Sequence, residues 1–259
     1  MSDILKKELV EGVLKLTLNR PEKRNALNAE LMTTLVNALR KAREDPAVKV
    51  IVIRGEGKAF CSGADLGNLD QMRKSVITMR RHLRHYADVL LELTNAGKPT
   101  IAAVQGYALA GGCGLAVTAD ITFASESCQF GIPEITRGIW GMMITAPIAR
   151  LVGTKKSLEL MYTGEFISAE EARRIGLVNR VVPDDCLDKE VDAFAQKLAR
   201  RSPLAVSLGR EGMYKCRDME FYKSMDYLTD LVVLLNASED AHEGSLAFLE
   251  KREPIWKGR

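Results

Sequence analysis

The chain has 259 residues, 46% of them hydrophobic and 27% charged, which is enough apolar surface to bury a core and unlike a disordered chain. Thirty-seven Lys and Arg against 34 Asp and Glu leave a net charge of +3, too balanced for a protein held on duplex DNA by counterion release. Five widely spaced cysteines, odd in number and never in a CxxC pair, argue against a disulfide framework or a zinc knuckle, so reduced thiols and a cytoplasmic setting are expected.

The first residues, Met1 to Glu8, contain no apolar signal core. The longest uncharged stretch, Thr100 to Ala119, is broken by Gly106, Gly111, Gly112 and Gly114, which predicts a tightly packed interior turn and not a membrane span. In chain order, Ile4 to Val10 and Val13 to Leu18 flank Glu11-Gly12 and predict an opening hairpin. After Asn28, a candidate N-cap, Leu31, Met32, Leu35, Val36 and Leu39 recur at helical spacing. Val48 to Ile53 predicts a buried strand closed by Gly55. A glycine-punctuated segment, Gly57 to Asp65, then leads into a helix from about Leu69 to Asn95 with Met72, Met79, Leu83, Tyr86, Leu90 and Leu93 on its apolar face. Pro99 stops it.

Thr100 to Val104 predicts a strand, Gly111 to Ala119 a short helix of small residues, and Ile121 to Ala124 another strand. This alternation argues for βαβ units and a largely parallel sheet. Beyond Gly131 helical patterns dominate: Met142 to Leu151, Lys155 to Thr163, Ser168 to Ile175, Leu187 to Arg201 and Met219 to Ala237, with one extended piece, Leu177 to Val182. Ser168 and Glu171 form a capping box, and Gly176 stands where that helix should end.

Several nucleotide and hydrolase motifs are absent. Gly55-Glu-Gly57-Lys58 lacks the Walker spacing, Gly112-Cys-Gly114 begins a GxGxxG that has no third glycine, and no serine sits in a GxSxG elbow. His82 and His85 share a helix face but have no carboxylate or thiol near them in sequence, so they read as solvated. The basic residues Arg73, Lys74, Arg80, Arg81 and Arg84 read as a solvated helix face and not as a nucleic-acid surface.

What remains is two glycine-rich turns, each entering a helix, and an acid next to a proline. A helix that starts on a small-residue turn presents unpaired backbone N–H groups, suited to an oxygen acquiring negative charge. Small side chains there let a ligand oxygen approach the main chain.

These segments, taken in order, resemble the crotonase superfamily, the enoyl-CoA hydratase/isomerase group. The match runs through Leu18 to Asn28, Ala59-Phe-Cys-Ser-Gly-Ala-Asp-Leu66, Gly106-Tyr-Ala-Leu-Ala-Gly-Gly-Cys113, Ala119-Asp-Ile121, Phe130-Gly-Ile-Pro-Glu134, Thr163 to Ala172 and Gly176 to Pro183. The resemblance implies an α/β fold: a spiral of ββα units over residues 1–200, carrying the acyl-CoA site, and a C-terminal α-helical trimerisation region over residues 201–259. It implies an acyl-CoA thioester as substrate, no separate cofactor or metal, and assembly as a homotrimer or a hexamer of two trimers.

By motif position, the thioester oxygen falls to the backbone N–H groups of Ala64 and Gly111, and acid/base work to Glu134. Arg24 and Lys58 match positions of basic groups near CoA phosphates. Ala59, Gly63, Asp65, Leu66, Gly112 and Gly114 match the lining of the two turns. Trp140 and Met142 follow Glu134 closely and are candidates to shape the acyl pocket. The tail around Phe248 to Lys251 and Trp256-Lys257 resembles one that approaches a neighbouring subunit's CoA.

Two-glutamate hydratases of this group carry their first acid where this chain has Gly114. Hydration of a 2-enoyl-CoA with Glu134 as the acid/base therefore competes with Δ3,Δ2-enoyl-CoA isomerisation, which needs a single base, and with a non-catalytic acyl-CoA-binding role.

Overall fold

A computed structural model describes residues 4–65, 67 and 75–259. Strands β1 (Leu5–Val10) and β2 (Val13–Leu18) form the expected hairpin. The connecting Glu11 and Gly12 both take positive φ, 47° and 82°, the conformation that lets a two-residue turn follow the twist of its strands. Further strands are β3 (Val50–Gly55), β4 (Thr100–Val104), β5 (Tyr107–Leu109), β6 (Ile121–Ser125), β7 (Gln129–Gly131), β8 (Phe166–Ser168) and β9 (Arg180–Val182). The main sheet has the order β1-β2-β3-β4-β6-β9 and is parallel from β2 onward. A second sheet, β5-β7-β8, pairs β5 with β7 in parallel and β7 with β8 antiparallel.

The central strands are apolar on both faces because both faces are covered. Ile51 and Ile53 of β3 pack with α1 (Ala29–Glu44), α2 (Val76–Thr94) and α3 (Gly111–Thr118). Val50 and Val52, which point the other way, meet Leu187, Val191 and Ala195. Asn28 caps α1, its side chain accepting the Leu31 N–H at 2.9 Å.

The remaining helices are α4 (Met142–Thr163), α5 (Ala169–Arg174), α6 (Leu187–Ala199), α7 (Pro203–Cys216), α8 (Phe221–Asn236) and α9 (Glu239–Glu250). Two helical patterns expected over 142–151 and 155–163 are joined end to end in α4, with a break at Gly153 (φ 75°, ψ 167°). The helix expected from about Leu69 is described from Val76; Met72, Arg73 and Lys74 lie outside the described residues. Its buried face is Tyr86, Val89, Leu90 and Leu93, whereas Leu83, expected on that face, is exposed. Helices α7 and α9 fall in the C-terminal helical region that the resemblance implies, although periodicity does not single them out, and the small sheet is an addition to the sequence reading. Among the described residues no helix is long and apolar enough to cross a membrane.

A polar joint ties α7 to the sheet. The Asp120 carboxylate accepts from Arg210 Nε (2.9 Å), the Tyr214 hydroxyl (2.6 Å) and the Thr100 N–H (2.8 Å), and Arg210 also donates to the last carbonyls of α2, Leu93 and Thr94. Removing one member of this partly buried set leaves the others short of a partner. Asp120→Ala should therefore lose about 2–4 kcal/mol of stability, measured as a lower urea midpoint at unchanged slope; a midpoint equal to the parent's would refute the joint's role.

Candidate active site

Residues 60–61 leave the sheet and run beside residues 105–109. The Phe60 N–H donates to Gln105 O (2.9 Å), the Cys61 N–H to Tyr107 O (3.1 Å), and the Leu109 N–H to Cys61 O (3.0 Å). The approach is backbone against backbone: a Cβ on Gly112 would stand 2.2 Å from Cys61 O, so only glycine fits. Just beyond, Gly63 takes φ +95°, and a Cβ there would lie 2.7 Å from Ala110 Cβ and 3.3 Å from Gly111 N. The two bends thus touch. They lie past the carboxyl ends of β3 and β4, where parallel sheets place their ligand sites.

The local pairing explains which amides are free. Leu27 bridges Ala64 in parallel: its N–H donates to Gly63 O (2.8 Å) and its O accepts from the Asp65 N–H (2.9 Å). In a parallel bridge the middle residue's own N–H points away from the partner strand, so that of Ala64 faces outward, and Ala64 is exposed. Gly111 begins α3, and the first N–H groups of a helix have no intrahelical acceptor. The turn before it is strained: Ala110 sits at φ 51°, ψ −126°, a region costly for a residue with a side chain. It is held by its own N–H on Gly131 O (2.8 Å) and by the Gly114 N–H on its carbonyl (3.1 Å).

Glu134 lies in a 3₁₀ turn, Pro133–Arg137, directly after β7. Its Oε2 is buried with no hydrogen-bond partner among the described residues, and a Cβ on Gly141 would come within 3.1 Å of its Oε1. Burial pushes its pKa above the ordinary glutamate range, against the pull of its own backbone N–H and of Arg137. Burial and, after it, the Glu134 charge push the thiol of Cys113 up to about 12, so Glu134 and the start of α3 share one low-dielectric region.

The position of the missing acid is filled. A Cβ on Gly114 would stand 2.2 Å from Ile144 Cγ2 and 2.4 Å from the Tyr86 hydroxyl, leaving no room for a longer side chain. Tyr86, which the sequence placed only on an apolar helix face, donates its hydroxyl to Gly111 O at 2.7 Å.

The other predicted residues are placed as follows. Ala59 is buried, its carbonyl accepting from Asn25 Nδ2 (2.7 Å). Arg24 and Lys58 are exposed, and Arg24 O accepts the Ser62 N–H at 3.0 Å, two residues from Ala64. The Asp65 carboxylate is engaged within the protein, by the Gly67 N–H (3.0 Å) and Arg20 (2.7 Å), and these partners hold its pKa low despite burial; it braces the turn. Arg20 was not singled out from the sequence. Leu66 lies outside the described residues. Trp140 is half-buried against the core, its Nε1 donating to Thr145 Oγ1 (3.1 Å), whereas Met142 is 72% exposed. Among the described residues no three His, Cys, Asp or Glu gather as a metal site requires.

The family model described as enoyl-CoA hydratase/isomerase matches residues 8–259. The chain is 40% identical over 250 residues to the 2,3-dehydroadipyl-CoA hydratase of Escherichia coli (strain K12), covering 96% of each. It is 37% identical over 252 residues to the crotonyl-CoA hydratase of Syntrophomonas wolfei, covering 96% of this chain and 95% of that protein. The crystal structure of an enoyl-CoA hydratase from Bacillus anthracis superposes with a TM-score of 0.95 at 32% identity, covering 99% of this chain and all of that one (100%). The fold is therefore crotonase-like, with ββα units and C-terminal helices.

The two crowded glycines differ in what they would strike. Gly112→Ala meets backbone that cannot yield, while Gly114→Ala meets side chains. Each should destabilise, Gly114→Ala by about 1–3 kcal/mol and Gly112→Ala by more. Adding Ile144→Ala should recover part of the loss in the first and none in the second, read from thermal unfolding of the double variants.

Proposed function

The chain belongs to the enoyl-CoA hydratase/isomerase family, and from that membership we propose that it hydrates a 2-enoyl-CoA to a 3-hydroxyacyl-CoA. The supporting observation is the contact of the two bends, with Gly63 against Gly111 N, beside a carboxyl group whose Oε2 is buried and unpartnered. In this reading the thioester oxygen accepts from the Ala64 and Gly111 N–H groups. Water oxygen bonds to C3, the π electrons move through C2 onto that oxygen, and Glu134 takes the water's proton and returns it to C2. The net change is addition of H and OH across one double bond. Arg24 and Lys58 would meet the CoA phosphates from the exposed side of the first bend.

One observation favours a second reaction at the same site. With the space at Gly114 filled by Ile144 and Tyr86, Glu134 lacks a carboxylate partner there, and one base suffices to move a proton from C2 to C4 of a 3-enoyl-CoA. A panel of 2-enoyl- and 3-enoyl-CoA thioesters analysed by mass spectrometry decides: hydrated product is expected, and isomer without hydrated product would reverse the order of the two readings.

We further propose self-association, as a trimer or a pair of trimers, with a separate role for the helices beyond residue 201. Helix α8 exposes Phe221, Tyr222, Val232, Val233 and Leu234, and α9 exposes Phe248 and Leu249, large apolar side chains of the kind that association covers. Light scattering should give a mass of three or six chains, and Val233→Glu should lower it; a monomeric parent protein would end this part of the proposal.

Glu134→Gln should reduce turnover by about 10³-fold while acyl-CoA binding, followed by calorimetry, stays within about threefold. The acid limb of kcat/KM should lie above the ordinary glutamate pKa of 4.5, because burial raises it. The stability consequence has a definite sign. Above the unfolded-state value the unfolded chain ionises more readily than the folded one, so the native state loses stability as pH rises through the raised pKa. Glu134→Gln, which never ionises, should therefore melt higher than the parent at neutral pH, with the difference vanishing below about pH 4.

A further inference from the structure

We propose that Tyr86 orients the attacking water, serving as its second hydrogen-bond acceptor while Glu134 alone moves the proton. This rests on the hydratase reading above and adds the residue that would favour hydration over isomerisation.

A water whose oxygen must meet C3 is held by both of its O–H bonds. Glu134 can take one. The other needs an acceptor on the same wall, and among the described residues the nearby polar groups are few. Thr145 Oγ1 already accepts from Trp140 Nε1 at 3.1 Å and donates to Gly141 O at 3.0 Å, which leaves it one lone pair. Ser62 Oγ is turned to Lys23 O. The thiol of Cys113 stays protonated to about pH 12 and is a weak acceptor.

Tyr86 differs from these in where it lies. Its proton is committed to Gly111 O at 2.7 Å, so what the hydroxyl offers is its lone pairs. It lies on the right face: a Cβ on Gly114 would be 2.4 Å from the hydroxyl, and one on Gly111 3.4 Å from the ring. Residues 111 and 114 are one helical turn apart on one side of α3, so the oxygen sits beside the turn whose first amide would hold the thioester. Ile144, itself buried, packs against the same point. Burial holds the phenol neutral, its pKa well above 10, so the group orients and does not transfer protons.

Two reactions of the full-length protein separate this role from a structural one. Hydration of crotonyl-CoA needs the oriented water. Exchange of the C2 hydrogens of butyryl-CoA in D₂O needs the oxyanion amides and Glu134 but no attacking water. Tyr86→Phe should slow hydration about tenfold to a hundredfold, with exchange and KM each within about threefold. Equal losses in both reactions would mean that Tyr86 acts only through Gly111, and unchanged hydration would reduce it to packing; either result overturns the proposal.

If Tyr86→Phe does not fold, 3,5-difluorotyrosine at position 86 keeps the shape and weakens the acceptor. Hydration should then fall at least about threefold with exchange retained, and unchanged hydration would again overturn the proposal. A parent enzyme that exchanges but hydrates no 2-enoyl-CoA would instead refute the hydratase reading itself, before any variant is made.

Discussion

Two stretches of main chain, residues 60–63 and 105–112, meet with no side chains between them, and the candidate site depends on that contact. The hydrogen bonds from Phe60, Cys61 and Leu109 fix the register, and Gly112 against Cys61 O fixes the distance. Both outward amides, of Ala64 and Gly111, are by-products of this seam. One is turned out by a parallel bridge to Leu27, the other left over at a helix start. The strained Ala110 is tolerated because hydrogen bonds on both sides over-determine it. A site made of backbone needs few particular side chains, but it needs their absence at particular points.

The same economy shapes the acid. Glu134 is placed by a turn rigid at Pro133 and enters a region that already contains the Cys113 thiol and the Tyr86 ring. Desolvation there disfavours its charge, which makes the carboxyl group able to hold a proton nearer neutrality. Ile144 contributes by crowding: it touches the points where side chains on both Gly114 and Gly141 would begin. The pocket is thus shaped on one side by what glycine lacks and on the other by a single branched apolar chain.

Much of this was legible in the sequence because it rests on local rules. The hairpin, the Asn28 cap, the doubly buried strands and the two glycine turns each carry a short-range signature, whereas Glu134 is marked by the family resemblance over Phe130 to Glu134. The strands of the small sheet are three residues long, too short to show a period. Helix α7 buries only Gly212 completely and so has no apolar stripe to betray it, although Ser202 and Pro203 form a normal start. The Arg20–Asp65 pair spans 45 positions, and nothing local announces it. Tyr86 was legible as a core residue, and its hydroxyl's bond to Gly111 O, 25 positions away, depends on how α2 lies across α3.

The buried thiols carry a chemical consequence of their own. Cys61 and Cys113, one on each side of the seam, are both pushed up to about 12 by desolvation. Desolvation favours the neutral thiol of each, and thiolate is the nucleophilic form. An α,β-unsaturated thioester is an electrophile that readily alkylates sulfur anions. On the proposed hydratase reading, such a substrate would meet two sulfurs that exclusion of solvent keeps inert.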